Sequence, residues 1–284
     1  MNNRSSGLRR AGFYGVLVFF ALLYLGPFAI QVATSFKTDA DAVANPLSLV
    51  PDPGVLDAYR RMFGLTEDSS VPFLRWFGNS TLVAVTVTIG RVFFCSLAGY
   101  ALSRLQFTGR RMLFVSVLAV MSVPGVVLLI PKFLVLNYLS IYDTYPAMIL
   151  PLLVDAAGVF IMKQFFDSIS ISIEEAARID GASIFQTFWF VVLPMARPAL
   201  ITLTILSFQG SWNEFTHMLV ATERGDRDVL TTGMATLFSG GLGGGEQFPL
   251  KLAVALIATL PVAFVFFTFQ RYFTAGANEG AEKG

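Results

Sequence analysis

The residues of this chain that carry chemistry are polar side chains set inside apolar runs. Arg91 lies in the middle of one run, Asp155 in another, and Gln209, Trp212, Asn213, Glu214 and His217 in a third. A charge at membrane depth costs about 2.5–3.5 kcal/mol on insertion scales, so it must face a partner or a wet cavity. On an unbroken helix Gln209, Asn213 and His217 fall at i, i+4 and i+8 and share one face, with Trp212 close to Gln209. An indole beside amides suits a sugar, because the ring stacks on C–H faces and the amides bond hydroxyls. The same amides also tie neighbouring helices together, and both readings of Gln209 and Asn213 stand open. Arg91 is read as structural, paired with Asp155 or Glu214. Cys95 is the only cysteine and His217 the only histidine. An intrachain disulfide and a multi-histidine metal site are therefore excluded, and Cys95 reads as a packed apolar thiol.

These residues need a helical membrane bundle to position them. Of 284 residues, 55% are hydrophobic and 14% charged, where a soluble domain carries about 25% charged residues. The net charge of +1 gives no reason to expect a nucleic-acid partner. Six apolar stretches of spanning length run from about Ala11 to Phe36, Asn79 to Leu102, Met112 to Leu136, Tyr145 to Phe166, Pro198 to Val220 and Leu250 to Phe273. Pro124 and Pro131 interrupt the third, which a bundle tolerates. Arg4, Arg9 and Arg10 precede an apolar run too long for a signal peptide, so it is read as a retained first span. The short turn with Arg104, Arg110 and Arg111, set against acid-rich outer loops, places both termini in the cytoplasm. The two long outer loops are residues 37–78 and 221–249. The second carries Gly240, Gly241, Gly243, Gly244 and Gly245 and reads as a flexible tether.

Residues 168–200 break the apolar pattern between the fourth and fifth spans. Ser172 is a candidate helix cap, with Glu174 and Glu175 in the first turn, where carboxylates complement the positive helix end. Gly181 bends the chain, a short amphipathic stretch from Ile184 to Val192 follows, and Pro194 and Pro198 stop it. On these residues alone, an interfacial connector helix is the simplest reading.

The spacing Glu175-Ala176-Ala177, three residues, Gly181, nine residues, Val191, one residue, Leu193-Pro194 resembles the EAA loop of permeases of binding-protein-dependent ABC importers. Only Val191 departs from it, standing where the family has Ile. The run EEAARIDGAS, with Asp180 before Gly181, is similar to the carbohydrate branch, in particular to the smaller permease of the maltose importer. The similarity extends over nearly the whole chain, including Trp212-Asn213-Glu214-Phe215 and a Thr-x-Gly ending, although the tail FTAGANEGAEKG is longer and more acidic than usual.

The resemblance implies an all-α polytopic permease, one domain over residues 1–284, with six transmembrane helices and a cytoplasmic coupling helix between the fourth and fifth (loop about 168–197). Glu174, Glu175, Ala176, Ala177, Asp180, Gly181, Leu193 and Pro194 are its expected coupling residues. It implies a second homologous permease, two ATPase subunits that carry ATP and Mg, and an extracytoplasmic solute-binding protein. The cargo would be a sugar passing Gln209, Trp212, Asn213, Glu214 and His217. No cofactor is expected on this chain, which has no G-x-x-x-x-G-K-[ST] motif and so no ATPase of its own. The expected site is a multi-pass bacterial inner membrane. The alternative is a stand-alone secondary transporter, which calls for paired inverted repeats and ion-coupling carboxylates. Asp155 and Glu214 supply acids, but the sequence has no such repeat. A membrane-embedded enzyme would need a convergent nucleophile or metal set that one Cys and one His do not provide.

Overall fold

The computed structural model describes the backbone of residues 3–66, 71–223, 225–240 and 247–281, and the side chains within residues 12–66, 71–223, 225–240 and 247–270. Arg4, Arg9, Arg10, Arg224, Gly241, Gly243 to Gly245 and the side chains of the C-terminal tail lie outside the described side chains. Among the described residues the chain is helical and without strands. In order the helices are α1 (Asn3–Ser35), α2 (Asp39–Ala44), α3 (Asp57–Met62), α4 (Phe73–Arg104), α5 (Arg110–Met121), α6 (Leu129–Tyr138), α7 (Tyr145–Ile149) and α8 (Ala156–Ser168). They continue as α9 (Ile171–Ile179), α10 (Ile184–Gln186), α11 (Leu193–Met195), α12 (Arg197–Trp212), α13 (Thr216–Ala221), α14 (Leu230–Phe238) and α15 (Phe248–Ala281).

Four stretches are long and apolar enough to cross a membrane: Gly12–Ser35, Phe73–Arg104, Tyr145–Ser168 and Phe248–Gln270. Two bent pairs bring the number to six if each is one span: Arg110–Met121 with Gly125–Tyr138, at 101°, and Ile184–Met195 with Arg197–Trp212, at 79°. The third apolar stretch is therefore sharply bent where the sequence reading ran it through. Pro124 has no N–H to donate and disfavours helix at Val123, so α5 stops at Met121 and the chain restarts through a 3₁₀ turn, Gly125–Leu128.

The chain divides into two compact units. One comprises Met1–Leu74 and Met234–Thr259. In it the connection after α1 is stitched by side chains. Ser35 Oγ lies 2.7 Å from the Tyr59 hydroxyl, and buried Lys37 donates to the Asn45 carbonyl at 2.7 Å. Thr38 caps α2 by accepting from Asp41 N–H, and Arg61 pairs with Asp39 at 3.1 Å.

The other unit comprises Arg75–Gly233 and Leu260–Gly284. One of its cores joins Cys95, Tyr100, Val159, Met162, Phe166, Phe188, Val192 and Leu203. Its helices meet through small residues. A Cβ on Gly99 would stand 2.7 Å from Met162 Cβ and 2.9 Å from Lys163 N, so α4 and α8 approach as closely as their backbones allow. A second core joins Val83, Val87, Leu136, Met148, Met218 and Val229. Beside it Asn79 donates to the carbonyls of Asp226 (2.9 Å) and Asp228 (2.8 Å) and accepts from the Tyr145 hydroxyl (2.8 Å). This ties the loop after α13 back to α4.

Candidate functional site

The helix that carries the Glu-Ala-Ala run is α9. It starts at Ile171, earlier than a Ser172 cap would allow, with Ser170 at the cap position bonding the Ser172 hydroxyl at 2.8 Å and not the helix backbone. Helical phase turns adjacent residues about 100° apart, and it sends the two acids in different directions. Glu174 is 1% exposed, while Glu175, Ala176, Arg178, Ile179 and Asp180 face outward, Ile179 at 86%. Ala177 is half-buried.

Glu174 is buried because α4 supplies its counter-charge. Arg104 Nε lies 2.5 Å from Glu174 Oε1, and Tyr100 donates its hydroxyl to Glu174 Oε2 at 3.2 Å. The same guanidinium donates from Nη2 to the carbonyls of Phe166 (2.6 Å), which also accepts from the Ile169 N–H (3.1 Å), and Ile169 (2.5 Å) at the end of α8. One side chain thus fastens the last turn of α4 to the end of α8 and the body of α9. Next to it, Ser103 and Lys163 both bond Asp167, at 2.6 and 2.5 Å.

Gly181 closes α9. Its φ is +85°, the left-handed region that glycine enters without a Cβ penalty. Gly181 N–H donates to Arg178 O at 3.0 Å and Ala182 N–H to Ala177 O at 2.9 Å, the paired pattern of a Schellman cap. Beyond its chain neighbours, no described atom lies within 4 Å of a Cβ built there, so the glycine serves the turn. Ser183 then opens the next helix with a capping box: it accepts from Gln186 N–H (3.3 Å) while Gln186 Oε1 accepts from Ser183 N–H (2.8 Å). That helix runs through a π-helical turn, Thr187–Val192, into α11. It exposes Ile184, Phe185, Trp189 and Phe190 and buries Phe188 and Val192. Phe185 and Trp189 stack at 6.1 Å. Leu193 packs against the core while Pro194 is exposed. The chain then bends by 79° into α12.

The polar residues of the fifth stretch do not share a face. α12 ends at Trp212, and Asn213 to Phe215 leave the helix before α13 begins. Gln209 and Asn213 are exposed and adjacent, Asn213 Nδ2 donating to Gln209 O at 3.0 Å. Trp212 is buried, with one ring face stacked on Phe208 at 5.6 Å and Phe77 in a T-shaped contact at 5.5 Å. The break turns His217 inward: it is 2% exposed, with Nε2 3.1 Å from the Ala147 carbonyl. Glu214 Oε1 accepts from His217 N–H at 2.8 Å and so caps α13.

The expected ion pair of Arg91 is replaced as well. Arg91 Nε donates to the Leu152 carbonyl at 2.9 Å, where a 3₁₀ turn, Leu150–Leu152, leaves carbonyls free. Asp155 instead caps α8 by accepting from Gly158 N–H at 3.0 Å.

A cavity of about 240 Å³ opens beside the break, lined by Glu214, Thr216 and His217 on one side and by Val126, Leu129 and Lys132 on the other. Sequence reasoning missed Tyr100, Arg104, Lys132 and Thr216. Arg104 registered there only as a loop charge, and no local pattern links it to a residue 70 positions on.

Residues 92–278 match the family described as the inner membrane component of binding-protein-dependent transport systems. The chain is 32% identical over 266 residues to the arabinooligosaccharides transport system permease protein AraQ of Halalkalibacterium halodurans, covering 94% of each chain. It is 31% identical to the trehalose/maltose transport system permease protein MalG of Thermococcus litoralis, again over 94% of each. Its fold is similar to a chain in the crystal structure of a bacterial ABC transporter involved in the import of the acidic polysaccharide alginate. The TM-score is 0.80 and the identity 26%, over 96% of this chain and 99% of that one.

Proposed function

Because this chain belongs to the inner membrane components of binding-protein-dependent transport systems, in their sugar-transporting branch, we propose that it is one of two permeases in an ATP-driven sugar importer and forms half of the translocation path. The observation that carries this reading is the division of labour on α9. Its inner face is fixed by buried Glu174 to Arg104, and its outer face presents Glu175, Ala176, Ile179 and Asp180. An exposed isoleucine between carboxylates, on a helix anchored from behind, is a docking surface for a soluble partner.

In this reading α9 sits in a cleft of a cytoplasmic ATPase subunit. Two such subunits hold ATP and Mg, and both termini of this chain face the cytoplasm. Closure of the ATPases displaces α9. The Arg104 clamp passes the displacement to α4 and α8, and the pathway alternates between inward and outward access. The cargo arrives from an extracytoplasmic solute-binding protein. Gly181 and the capping box at Ser183 keep α9 and the following helix at a fixed angle, so that the displacement is not lost in the turn. The ATP chemistry belongs to the partner subunits, and this chain binds no cofactor.

The experiment is co-purification of the assembled complex with Ile179→Asp or Glu175→Lys in this chain. Both lie on the exposed face and leave the clamp intact, so membrane insertion stays normal while ATPase attachment and sugar uptake are lost. Undiminished attachment in both variants would sink the reading and favour a stand-alone transporter.

A further inference from the structure

The cavity beside the break in the fifth stretch has features that docking of an ATPase does not use. Its wall comes from two irregular places, the segment after the 101° bend at Pro124 and the segment after Trp212. Backbone that leaves the helix inside a membrane protein is either buried in protein or lines a water-filled cavity, because lipid cannot satisfy its polar groups, and here the break at Glu214 borders a cavity. His217 Nε2 faces the Ala147 carbonyl, so it carries the ring proton and leaves Nδ1 as an acceptor. That Nδ1 is buried with no hydrogen-bond partner among the described residues. Glu214 spends Oε1 on the cap of α13, and no hydrogen bond to Oε2 falls among the described residues. Lys132 makes neither hydrogen bond nor ion pair among the described residues. Thr216 adds a hydroxyl, and Val126 and Leu129 give one apolar wall.

We propose that this cavity is a subsite for a single neutral pyranose ring of the transported saccharide. The assignment rests on the importer reading and extends it by placing one sugar ring on this chain at named groups. The chemistry is complementary in kind. The free oxygen of Glu214 on the cavity wall needs an O–H donor, and sugar hydroxyls supply it; His217 Nδ1, buried from solvent, lies behind that wall. The Lys132 ammonium needs an oxygen acceptor, and the same hydroxyls serve. The C–H face of a pyranose lies on Val126 and Leu129. Glu214 and Lys132 put one negative and one positive charge on the same wall, so the cavity has no net charge to hold an anionic ring. The volume lies below the roughly 300–1,000 Å³ of drug-sized sites, which limits the occupant to about one ring.

The test uses the assembled complex in lipid discs, with Val126→Cys on the cavity wall. The native Cys95 is fully buried and serves as the unreactive background. The labelling rate of this chain by a maleimide is read by mass, without binding protein or ATP, in the presence of methyl α-D-glucopyranoside, D-glucuronate or glycerol. The glucoside is expected to slow labelling at least ~3-fold, and Lys132→Met added to the same chain is expected to abolish that protection. No protection by the glucoside overturns the assignment and leaves a water-filled cavity. Equal protection by glycerol, or protection by glucuronate alone, overturns the neutral ring. Stimulation of ATPase activity by sugar-loaded binding protein, measured in the same discs, tests the importer reading separately. In sealed vesicles, Lys132→Met is expected to raise the half-saturating sugar concentration for uptake, and an unchanged value would overturn its place in the subsite.

Discussion

Arg104 and Glu174 illustrate how a buried ion pair holds a mechanical joint without being a source of net stability. Both charges are nearly free of solvent, and desolvating them costs about as much as their attraction returns. Removing one partner is different, because it strands the other charge in the core. Arg104→Ala also takes a donor from the carbonyls of Phe166 and Ile169, of which Phe166 keeps the Ile169 N–H. It is expected to destabilise the chain by about 3–5 kcal/mol, read as a lower midpoint of thermal unfolding in detergent. Glu174→Ala combined with Arg104→Ala should cost less than the sum of the two single changes, and simple additivity would show that the pair is not coupled. A second carboxylate gives a pH prediction outside the spans. Asp41 accepts from Asn45 Nδ2 at 2.9 Å and from Asp52 N–H at 3.3 Å, and these bonds hold its carboxyl below the ordinary 3.8. Its contribution is therefore complete above the unfolded carboxyl value and is lost as pH falls through the lower folded one. Amide exchange at Asp52 should be constant from neutral pH to about pH 4 after correction for intrinsic rates, and should accelerate below it. In Asp41→Asn that step should vanish.

At the scale of elements, the proposed transmission depends on the close approach of α4 to α8 and on the cap of α9. Gly99→Ala places a Cβ against Met162 and the Lys163 backbone. It should push α8 away from α4 and cost about 1–3 kcal/mol, measurable as a lower unfolding midpoint with uptake falling in parallel. Gly181→Ala forces a left-handed φ on a residue with a side chain, at about 1–2 kcal/mol. The strain is local, so the expected outcome is an intact, inserted complex whose ATPase turns over with less sugar moved per ATP. An unchanged ratio would show that the angle after α9 is not part of transmission. Elements with chemical punctuation were legible in the sequence. Gly181 marked the end of α9, the apolar stretches located the long helices, and Pro194 and Pro198 bracketed the second bend. The break at Asn213 to Phe215 carries no proline or glycine, so helical spacing was extended through it and His217 was placed on the wrong face. The pairing of Glu174 with Arg104 was hidden for another reason. Two adjacent acids look alike until the phase of the helix and the position of α4 are known.

At the scale of the whole molecule, the apolar surface asks for a membrane and for a partner. Phe19, Leu22, Phe264 and Phe267 on the terminal helices are all more than half exposed, which water does not tolerate over helices of this length but lipid does. The described chain holds four candidate spanning stretches, or six if each bent pair is one span, and the proposed importer permease uses six, with both ends in the cytoplasm. In that arrangement the positive residues Arg104, Arg110 and Arg111 belong on the cytoplasmic side, and α9, clamped to Arg104, belongs there too. Single cysteines read this directly, because Cys95 is buried. In sealed vesicles of known orientation, Ile179→Cys on α9 should react with a membrane-impermeant maleimide from the cytoplasmic side alone. Leu47→Cys, in the exposed connection after α2, should react from the opposite side alone. Both residues stand well clear of their neighbours, so slow labelling is not expected from burial. Co-expression of the ATPase should then protect Ile179→Cys and leave Leu47→Cys reactive. Labelling of both positions from one side would mean an odd number of crossings between residues 47 and 179 is wrong, and would return the bent stretch at Pro124 to a re-entrant loop that enters and leaves by the same face.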